Sequence, residues 1–218
     1  MNTSDSFDRN GTIVLATRNQ GKIRELEEPL KQYGLKVVGL HAFPGLPEVE
    51  ETGTTFEENA RLKAETVARL TGLVAIADDS GLAVDALNGA PGVHSARYAD
   101  DMPNLPGLSK DSRNNQKLLA VLSSISLQNR GACFYSVIVA CSPEGQTLVA
   151  SGRWEGRIGY APRGKNGFGY DPLFFDPEVG RTAAEMTPEE KMARSHRGKA
   201  LAELLRNWPE FWERCRFR

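Results

Sequence analysis

The sequence predicts an α/β protein whose central sheet is mixed and flanked by helices. Near the N-terminus an apolar strand, an amphipathic helix and a second strand follow one another, an order typical of α/β domains. Later in the chain, two strand-like runs on either side of a Ser-Pro-Glu-Gly turn predict a hairpin, which makes the sheet mixed. The glycine-rich loops fit an elongated sheet with two lobes and a cleft.

The first strand is predicted at 12–16, where apolar residues run without interruption. A polar turn at 17–21 follows, and Lys22 opens a helix with apolar residues at helical spacing. Gly34 is well placed to end this helix, and Pro29 is expected to kink or shorten it.

A second strand is predicted at 35–40 and a loop rich in Pro, Gly and acids at 41–55. Thr55 and Glu58 have the spacing of a capping box, so the next helix begins here and runs to about Thr71.

The most informative stretch follows that helix, where an apolar run at 73–77 stops at Asp78 and Asp79. Ser80 and Gly81 separate these acids from a second apolar run. Carboxylates at the end of a buried strand, beside a glycine that frees the backbone, suit a hard cation such as Mg²⁺. They also suit proton abstraction from an attacking water. The alternative is an ordinary Asp-rich turn.

The middle of the chain is predicted as a loop at 88–106, a helix at 114–124 and the hairpin strands at 132–141 and 146–152.

The last third begins with a loop at 161–171 and a short strand at 172–175. Thr187 is a strong N-cap because Pro and Glu follow at the first and third helical positions. The helix is expected to continue to Trp208, with a break near 195–198.

Length and composition predict one globular domain at 12–208, with an N-terminal tail at 1–11 and a C-terminal tail at 209–218. The chain has 218 residues, 40% of them hydrophobic, and a net charge of −1. No global field therefore attracts nucleic acid or an anionic membrane. No run has the length of a membrane span or the form of a signal peptide. Three cysteines without metal-ligand spacing fit a reduced, cytoplasmic protein.

Four stretches could together hold a triphosphate. The first joins a strand to a helix N-terminus at 16–22, where backbone N–H groups favour phosphate oxygens and Lys22 adds charge. It is not a P-loop, because Ile23 stands where Ser or Thr should follow the lysine. Taken alone, it could equally be a generic turn with a solvated lysine.

The second stretch places Asn59 and Lys63 on one helical face, with Glu50 and Glu51 just upstream. Either glutamate could bring a carboxylate towards a metal at Asp79, or this could be an ordinary charged helix face.

The third stretch has two glycines around an aromatic at 167–172, so Phe168 or Tyr170 could stack on a base or could anchor a turn in the core. The fourth, at 191–199, contains five potentially cationic side chains, a pattern also typical of a solvated helix face.

In this order, the motifs resemble the inosine triphosphate pyrophosphatase family, and its bacterial branch more than its animal one. The resemblance runs from about Ile13 to Leu205. Its carriers are Ala16-Thr17-x-Asn19-x-Gly21-Lys22, Phe56-x-Glu58-Asn59-Ala60-x-x-Lys63-Ala64, Asp78-Asp79-Ser80-Gly81-Leu82, Gly89-Ala90-Pro91-Gly92, Ser95-Ala96-Arg97-Tyr98, Gly167-Phe168-Gly169-Tyr170-Asp171-Pro172 and Ser195-His196-Arg197-Gly198.

The resemblance implies a Mg²⁺-dependent enzyme that hydrolyses deaminated purine nucleoside triphosphates (ITP, dITP and XTP) to the monophosphate and pyrophosphate. It implies a homodimer with a deep cleft between two lobes. Asp79 would be the catalytic carboxylate and a metal ligand, and Glu51, with Glu50 as the alternative, would be the second ligand. The substrate-binding residues implied are Thr17, Arg18, Asn19, Gln20, Gly21, Lys22, Lys63, Ser80, Phe168, Gly169, Tyr170, Asp171, Lys191, His196 and Arg197. Arg18 departs from the family, which often has Gly there.

The expected reaction is attack of water on the α-phosphorus. A buried donor, from the backbone, His196 or Arg197, would accept a base with a C6 carbonyl and reject adenine. Exclusion of guanine must act at its 2-amino group. Two rivals are a nucleotide sensor without turnover, which would not need Asp79, and the related enzymes that act on modified pyrimidine nucleotides. Nucleic-acid binding is disfavoured because no basic–aromatic module is present.

Overall fold

The computed structural model describes residues 7–103 and 107–215. The predicted α/β class is confirmed: helices flank a seven-stranded mixed sheet with strand order β2-β1-β3-β4-β5-β6-β7. Strand β1 pairs in parallel with β2 and β3, whereas β6 is antiparallel to β5 and β7. The strands are β1 Thr12–Leu15, β2 Lys36–Gly39, β3 Val74–Val84, β4 Gly131–Cys141, β5 Thr147–Ile158, β6 Phe174–Asp176 and β7 Arg181–Thr182. The helices are α1 Gln20–Lys31, α2 Phe56–Thr71, α3 Lys110–Val121, α4 Pro188–Arg194 and α5 His196–Cys215.

The chain divides into two compact units, and β3, β4 and β5 each contribute residues to both. Within the described residues, unit 1 comprises 7–79, 136–152 and 199–215, and unit 2 comprises 80–103, 107–135 and 153–198.

Unit 1 packs small residues of α2 against the sheet. Ala60, Ala64 and Ala68 on α2 are fully buried with Val14 and Ala75 of the strands in one apolar cluster. The predicted capping box is confirmed, since Thr55 Oγ1 accepts from the Glu58 N–H while the Glu58 carboxylate accepts from the Thr55 N–H. The helix therefore begins at the predicted residue, which fixes where its polar face lies.

Unit 2 has an aromatic core. Phe174 lies with its ring centroid 4.5 Å from that of Phe134 and 4.9 Å from that of Trp154, and Leu82 and Tyr170 belong to the same buried cluster. Aromatic side chains bury large areas, so this cluster stabilises the loops that connect its strands.

The expectation that the strand ends at the paired acids is wrong. Strand β3 runs unbroken through Asp78 and Asp79 to Val84. A charged residue can lie inside a buried strand when its carboxylate is paired, and the Asp78 carboxylate accepts from Ser136 Oγ (2.5 Å) and Lys22 Nζ (2.7 Å). Since neighbouring residues in a strand point to opposite faces, the two acids meet different partners.

Other boundaries also differ from the predictions. Helix α1 begins at Gln20, two residues early, because Asn19 caps it. Helix α3 begins at Lys110 with Ser109 as its N-cap, β5 continues to Ile158, and β7 was not predicted.

The C-terminal helix is longer than predicted. The break near 195–198 is confirmed, since Ser195 has extended backbone between α4 and α5, but α5 continues past Trp208 to Cys215. Trp208 and Phe211 are buried, with ring centroids 5.4 Å apart. Residues 209–215 of the predicted tail are therefore helical, and 216–218 lie outside the described residues.

The predicted N-terminal tail is described only from residue 7. The Phe7 ring lies 5.4 Å from that of Phe43, and Lys36 Nζ lies 5.0 Å from the Phe7 centroid. Residues 104–106 of the predicted loop are also outside the described residues. None of the described helices combines the length and the apolar character that a membrane crossing requires.

Candidate active site

The strand-to-helix junction in unit 1 is held by its own polar side chains. Asn19 Oδ1 accepts from the N–H groups of Gly21 (2.8 Å) and Lys22 (3.2 Å), and Thr17 Oγ1 accepts from the Asn19 N–H (3.2 Å). Arg18 and Gln20 are exposed. The Asn19 cap therefore already satisfies two of the N–H groups expected to face phosphate, and the Lys22 ammonium is the principal charge here.

Lys22 is fixed by β3. Its Nζ lies 2.7 Å from Asp78 Oδ2 and donates to the Asp78 carbonyl (3.2 Å), and its side chain is 14% exposed. Ser136, on β4, donates to the other carboxylate oxygen. Ser136 was missed from the sequence because it lies 58 positions from Asp78 and nothing nearby marks it.

Lys63 joins the two predicted metal ligands. Its Nζ donates to Glu51 Oε1 (2.8 Å), to Asp79 Oδ1 (3.0 Å) and to the Asp78 carbonyl (3.2 Å). One helical turn earlier, buried Asn59 accepts from the Gly53 N–H (2.8 Å), which secures the loop that carries Glu51. Helix α2 thus places both a cation and a loop anchor at the end of this loop.

Asp79 is a buried carboxylate, and only one of its two oxygens has a hydrogen-bond partner among the described residues. It is 7% exposed, and its Oδ2 has no hydrogen-bond partner among the described residues. Burial raises the pKa of Asp79 above its ordinary value, although Lys63 and Lys22 act in the opposite direction. Burial alone would lower the pKa of Lys63, but the Asp79 and Glu51 carboxylates outweigh it and raise that pKa, so Lys63 is cationic at neutral pH.

The residues present fit a magnesium ion. No group of three His, Cys, Asp or Glu suited to a metal occurs in the described part of the chain. Mg²⁺, however, is usually held by one or two carboxylates together with substrate phosphates. Glu51 and Asp79 supply two such carboxylates, and the Lys63 ammonium donates to both of them. Lys63 links Glu51 to Asp79, whereas Glu50 is exposed.

A second cluster, in unit 2, surrounds Phe168. Lys191 Nζ lies 4.9 Å and Arg197 Cζ 5.5 Å from the Phe168 ring centroid. Asp171 Oδ2 accepts from both the Phe168 N–H (2.8 Å) and Lys191 Nζ (2.7 Å). Gly167 has φ +77°, and a Cβ there would overlap the Asp171 carboxylate, so only glycine allows this loop.

The arrangement distinguishes the two candidate aromatics. Tyr170 is buried and donates its hydroxyl to the Ser95 carbonyl (2.8 Å), and burial raises its pKa. Phe168 is half-buried and flanked by two cations. Phe168 is therefore the aromatic that remains accessible to a flat ligand.

His196 and Arg197 have different environments. The His196 ring stacks on Phe134 with centroids 4.7 Å apart and an interplanar angle of 13°. Arg197 Nη2 donates to Ser80 Oγ (2.7 Å). Unit 2 thus brings together Ser80, Phe168, Asp171, Lys191 and Arg197, whereas His196 is 4% exposed and packs into the aromatic core.

The fold and these two clusters define a mixed α/β protein with a lysine-bridged pair of acids in one unit and a cation-flanked aromatic in the other. The sequence profile of the Ham1 family matches residues 13–207. The chain belongs to this family, which confirms the assignment made from the motifs.

Named relatives are similar over most of the chain. The dITP/XTP pyrophosphatase of Nitratidesulfovibrio vulgaris is 60% identical over 92% of this chain and 97% of its own length. The enzyme of the same name from Lactiplantibacillus plantarum is 48% identical over 94% and 98%. That of Streptococcus mutans is 50% identical over 91% of this chain, which spans 59% of that longer relative.

Solved structures of other proteins share this fold over most of the chain. A HAM1 protein from Coxiella burnetii superimposes with a TM-score of 0.81 at 45% identity, covering 92% of this chain and 99% of that one. A Mycobacterium abscessus protein described as a nucleoside-triphosphatase and dITP/XTP pyrophosphatase gives 0.70 at 49% identity, covering 89% and 98%.

Proposed function

We propose that this protein hydrolyses the deaminated purine nucleotides ITP, dITP and XTP to the nucleoside monophosphate and pyrophosphate. Such hydrolysis removes these nucleotides before they enter DNA or RNA. The observation that carries the proposal is the buried Asp79, whose spare oxygen lies in a cluster with two lysines. The names of relatives that are 48% to 60% identical over nearly all of this chain support the same reaction.

Asp79 is the group we assign to the water. A carboxylate with a raised pKa is a stronger proton acceptor than an exposed aspartate, so it can orient a water and take its proton as the α-phosphorus is attacked. Lys63 holds Asp79 through Oδ1, which leaves Oδ2 for that role.

Lys22 and Lys63 neutralise the triphosphate. Both side chains are only 14% exposed, so their charges interact more strongly than they would in bulk water. Thr17 and Asn19 fix the backbone of this junction, and exposed Arg18 adds a further cation to it.

Glu51 and Asp79 are the residues we propose as Mg²⁺ ligands. When bound, the ion would supply charge neutralisation and orientation of the departing pyrophosphate. Lys63 already holds both carboxylates in one place, so the ligand pair is preorganised.

Unit 2 supplies the groups for the nucleoside. Phe168 offers a face for the base, and Lys191 and Arg197 surround it with donors that suit a C6 carbonyl and not the amino group of adenine. Ser80, which follows Asp79 in the sequence, adds a hydroxyl group that accepts from Arg197.

The test is the isosteric variant Asp79→Asn. We expect pyrophosphate release from ITP to fall at least about a thousandfold, because the amide cannot accept the proton. The matched control is Asp100→Asn, an exposed acid in a loose pair with Lys110, which should behave as wild type. Near-normal turnover by Asp79→Asn would remove Asp79 from the mechanism.

A homodimer and a cytoplasmic location remain predictions that follow from the family resemblance and the composition. Sedimentation equilibrium of the full chain tests the first, since a monomer at micromolar concentration would contradict it.

A further inference from the structure

Helix α3 carries polar side chains that none of the motifs above includes. Asn114 is buried and donates to the carbonyls of Ser95 (3.2 Å) and Ala96 (3.4 Å), while its Oδ1 accepts from the Ala99 N–H (2.9 Å). This side chain therefore ties α3 to the 92–97 turn within unit 2.

Two further residues of α3 hold the two peptide groups on either side of the Gly169 Cα, in the loop around Phe168. Asp111 Oδ2 accepts from the Gly169 N–H (2.7 Å), and Asn115 Nδ2 donates to the Gly169 carbonyl (2.9 Å). The two side chains are four residues apart, hence one above the other on the same helical face. Side chains of one helix therefore hydrogen-bond both the N–H and the carbonyl of Gly169.

Gly169 has φ +61°, a conformation that side chains disfavour, and a Cβ built there would have no heavy atom within 4 Å. The hydrogen bond from the Gly169 N–H to Asp111 fixes the peptide that follows Phe168. The peptide before it is fixed by Asp171, which accepts from the Phe168 N–H.

We propose that Asp111 and Asn115 are positioning residues for the purine base: they hold Gly169 so that Phe168 keeps its face beside Lys191 and Arg197. The inference rests on the proposed function, because it assigns a role to the same base-binding loop. It extends the site to helix α3, which none of the sequence motifs includes.

Loss of either contact should weaken binding and spare the chemistry. In Asp111→Ala we expect the KM for ITP to rise about tenfold, as expected for losing a hydrogen bond to a charged acceptor, with kcat within about twofold. Selectivity for ITP over ATP should fall with it, because the loop that selects the base is loosened.

Isosteric variants separate positioning from folding. Asp111→Asn keeps an acceptor for the Gly169 N–H and should restore KM to within about twofold of wild type. Asn115→Asp keeps the shape but has no donor for the Gly169 carbonyl, so it should raise KM as Asp111→Ala does. Gln116→Ala, an exposed neighbour on α3, is the control.

The experiment measures KM and kcat for ITP and ATP in these variants, with hydrogen exchange of the Gly169 amide by NMR. Faster exchange in Asp111→Ala, a raised KM and rescue by Asp111→Asn support the inference. An unchanged KM in Asp111→Ala despite faster exchange overturns the inference. So does an Asp111→Asn variant that loses as much kcat and as much thermal stability as Asp111→Ala. An inactive wild-type protein refutes the proposed function instead, and the two failures are therefore distinct.

Discussion

The buried ion pair between Lys191 and Asp171 allows the most quantitative prediction. Lys191→Met keeps the length of the side chain and its apolar stem but removes the charge. Nζ and Oδ2 lie 2.7 Å apart, and the side chains are only 7% and 4% exposed, so water cannot replace the missing ammonium. The substitution removes the ammonium that donates to the buried Asp171 carboxylate.

The magnitude follows from these contacts. Breaking a buried pair by removing one partner costs about 3–5 kcal/mol. Asp171 retains the Phe168 N–H at 2.8 Å, and a hydrogen bond to a charged group contributes about 1.5–3 kcal/mol. We therefore expect the lower end, a loss of about 3 kcal/mol in the free energy of unfolding.

Urea unfolding followed by fluorescence and by circular dichroism measures this loss, with coincident transitions as the check on two-state behaviour. The double variant Lys191→Met/Asp171→Asn also removes the charge of the carboxylate, while the amide oxygen of the new Asn still accepts from the Phe168 N–H. It should recover at least about half of the loss. A loss below about 1 kcal/mol in the single variant, or no recovery in the double variant, would refute the reasoning.

Three other predictions concern stability and binding. Burial raises the pKa of Asp176, but hydrogen bonds from Arg194 and a tryptophan N–H outweigh it and lower that pKa. The resulting stabilisation is complete above the unfolded pKa of about 3.9 and is lost as pH falls through the lower folded value. The difference in urea stability between wild type and Asp176→Asn should therefore be constant near neutral pH and shrink as pH falls below about 4; a difference that stays constant there would contradict this. A Cβ at Gly198 would overlap the carbonyl oxygen of Met192, so Gly198→Ala should cost about 1–3 kcal/mol, and a melting temperature equal to that of wild type would show that the junction yields. Lys22→Ala should raise the KM for ITP at least about tenfold with a smaller effect on kcat, whereas an unchanged KM would argue against a phosphate contact.

Local signals in the sequence predicted the starts of α2 and α4, but not those of α1 and α3. Thr55 with Glu58 and Thr187 with Pro188 mark N-termini through contacts within a few residues, and the structure has both capping boxes. Such interactions are visible in sequence because both partners lie within one turn.

Non-local contacts account for the errors. The acids of β3 suggested the end of a strand because the partner that makes Asp78 tolerable there, Ser136, lies 58 positions away. The last helix was predicted to end at Trp208, but α5 continues through Pro209 and buries Phe211, which outweighs the hydrogen bond lost at the proline.

The sequence predicted which residues would lie near one another in unit 1, but not what several of the predicted site residues contact. Glu51, Lys63 and Asp79 come together, as the motifs indicated. The roles of Asn19 as a helix cap and of His196 in an aromatic stack could not be predicted, because each depends on geometry that spacing alone does not define.

The most direct test of the account measures pyrophosphate release from ITP, XTP, GTP, ATP and dTTP by the wild-type protein, each with Mg²⁺ and with EDTA. We predict fast release from ITP and XTP, slow release from the other three, and loss of all release in EDTA. Tight binding of ITP without release would favour a sensor. Preferential turnover of dTTP, or release from ITP that persists in EDTA, would contradict the proposed substrate class or the proposed role of the metal.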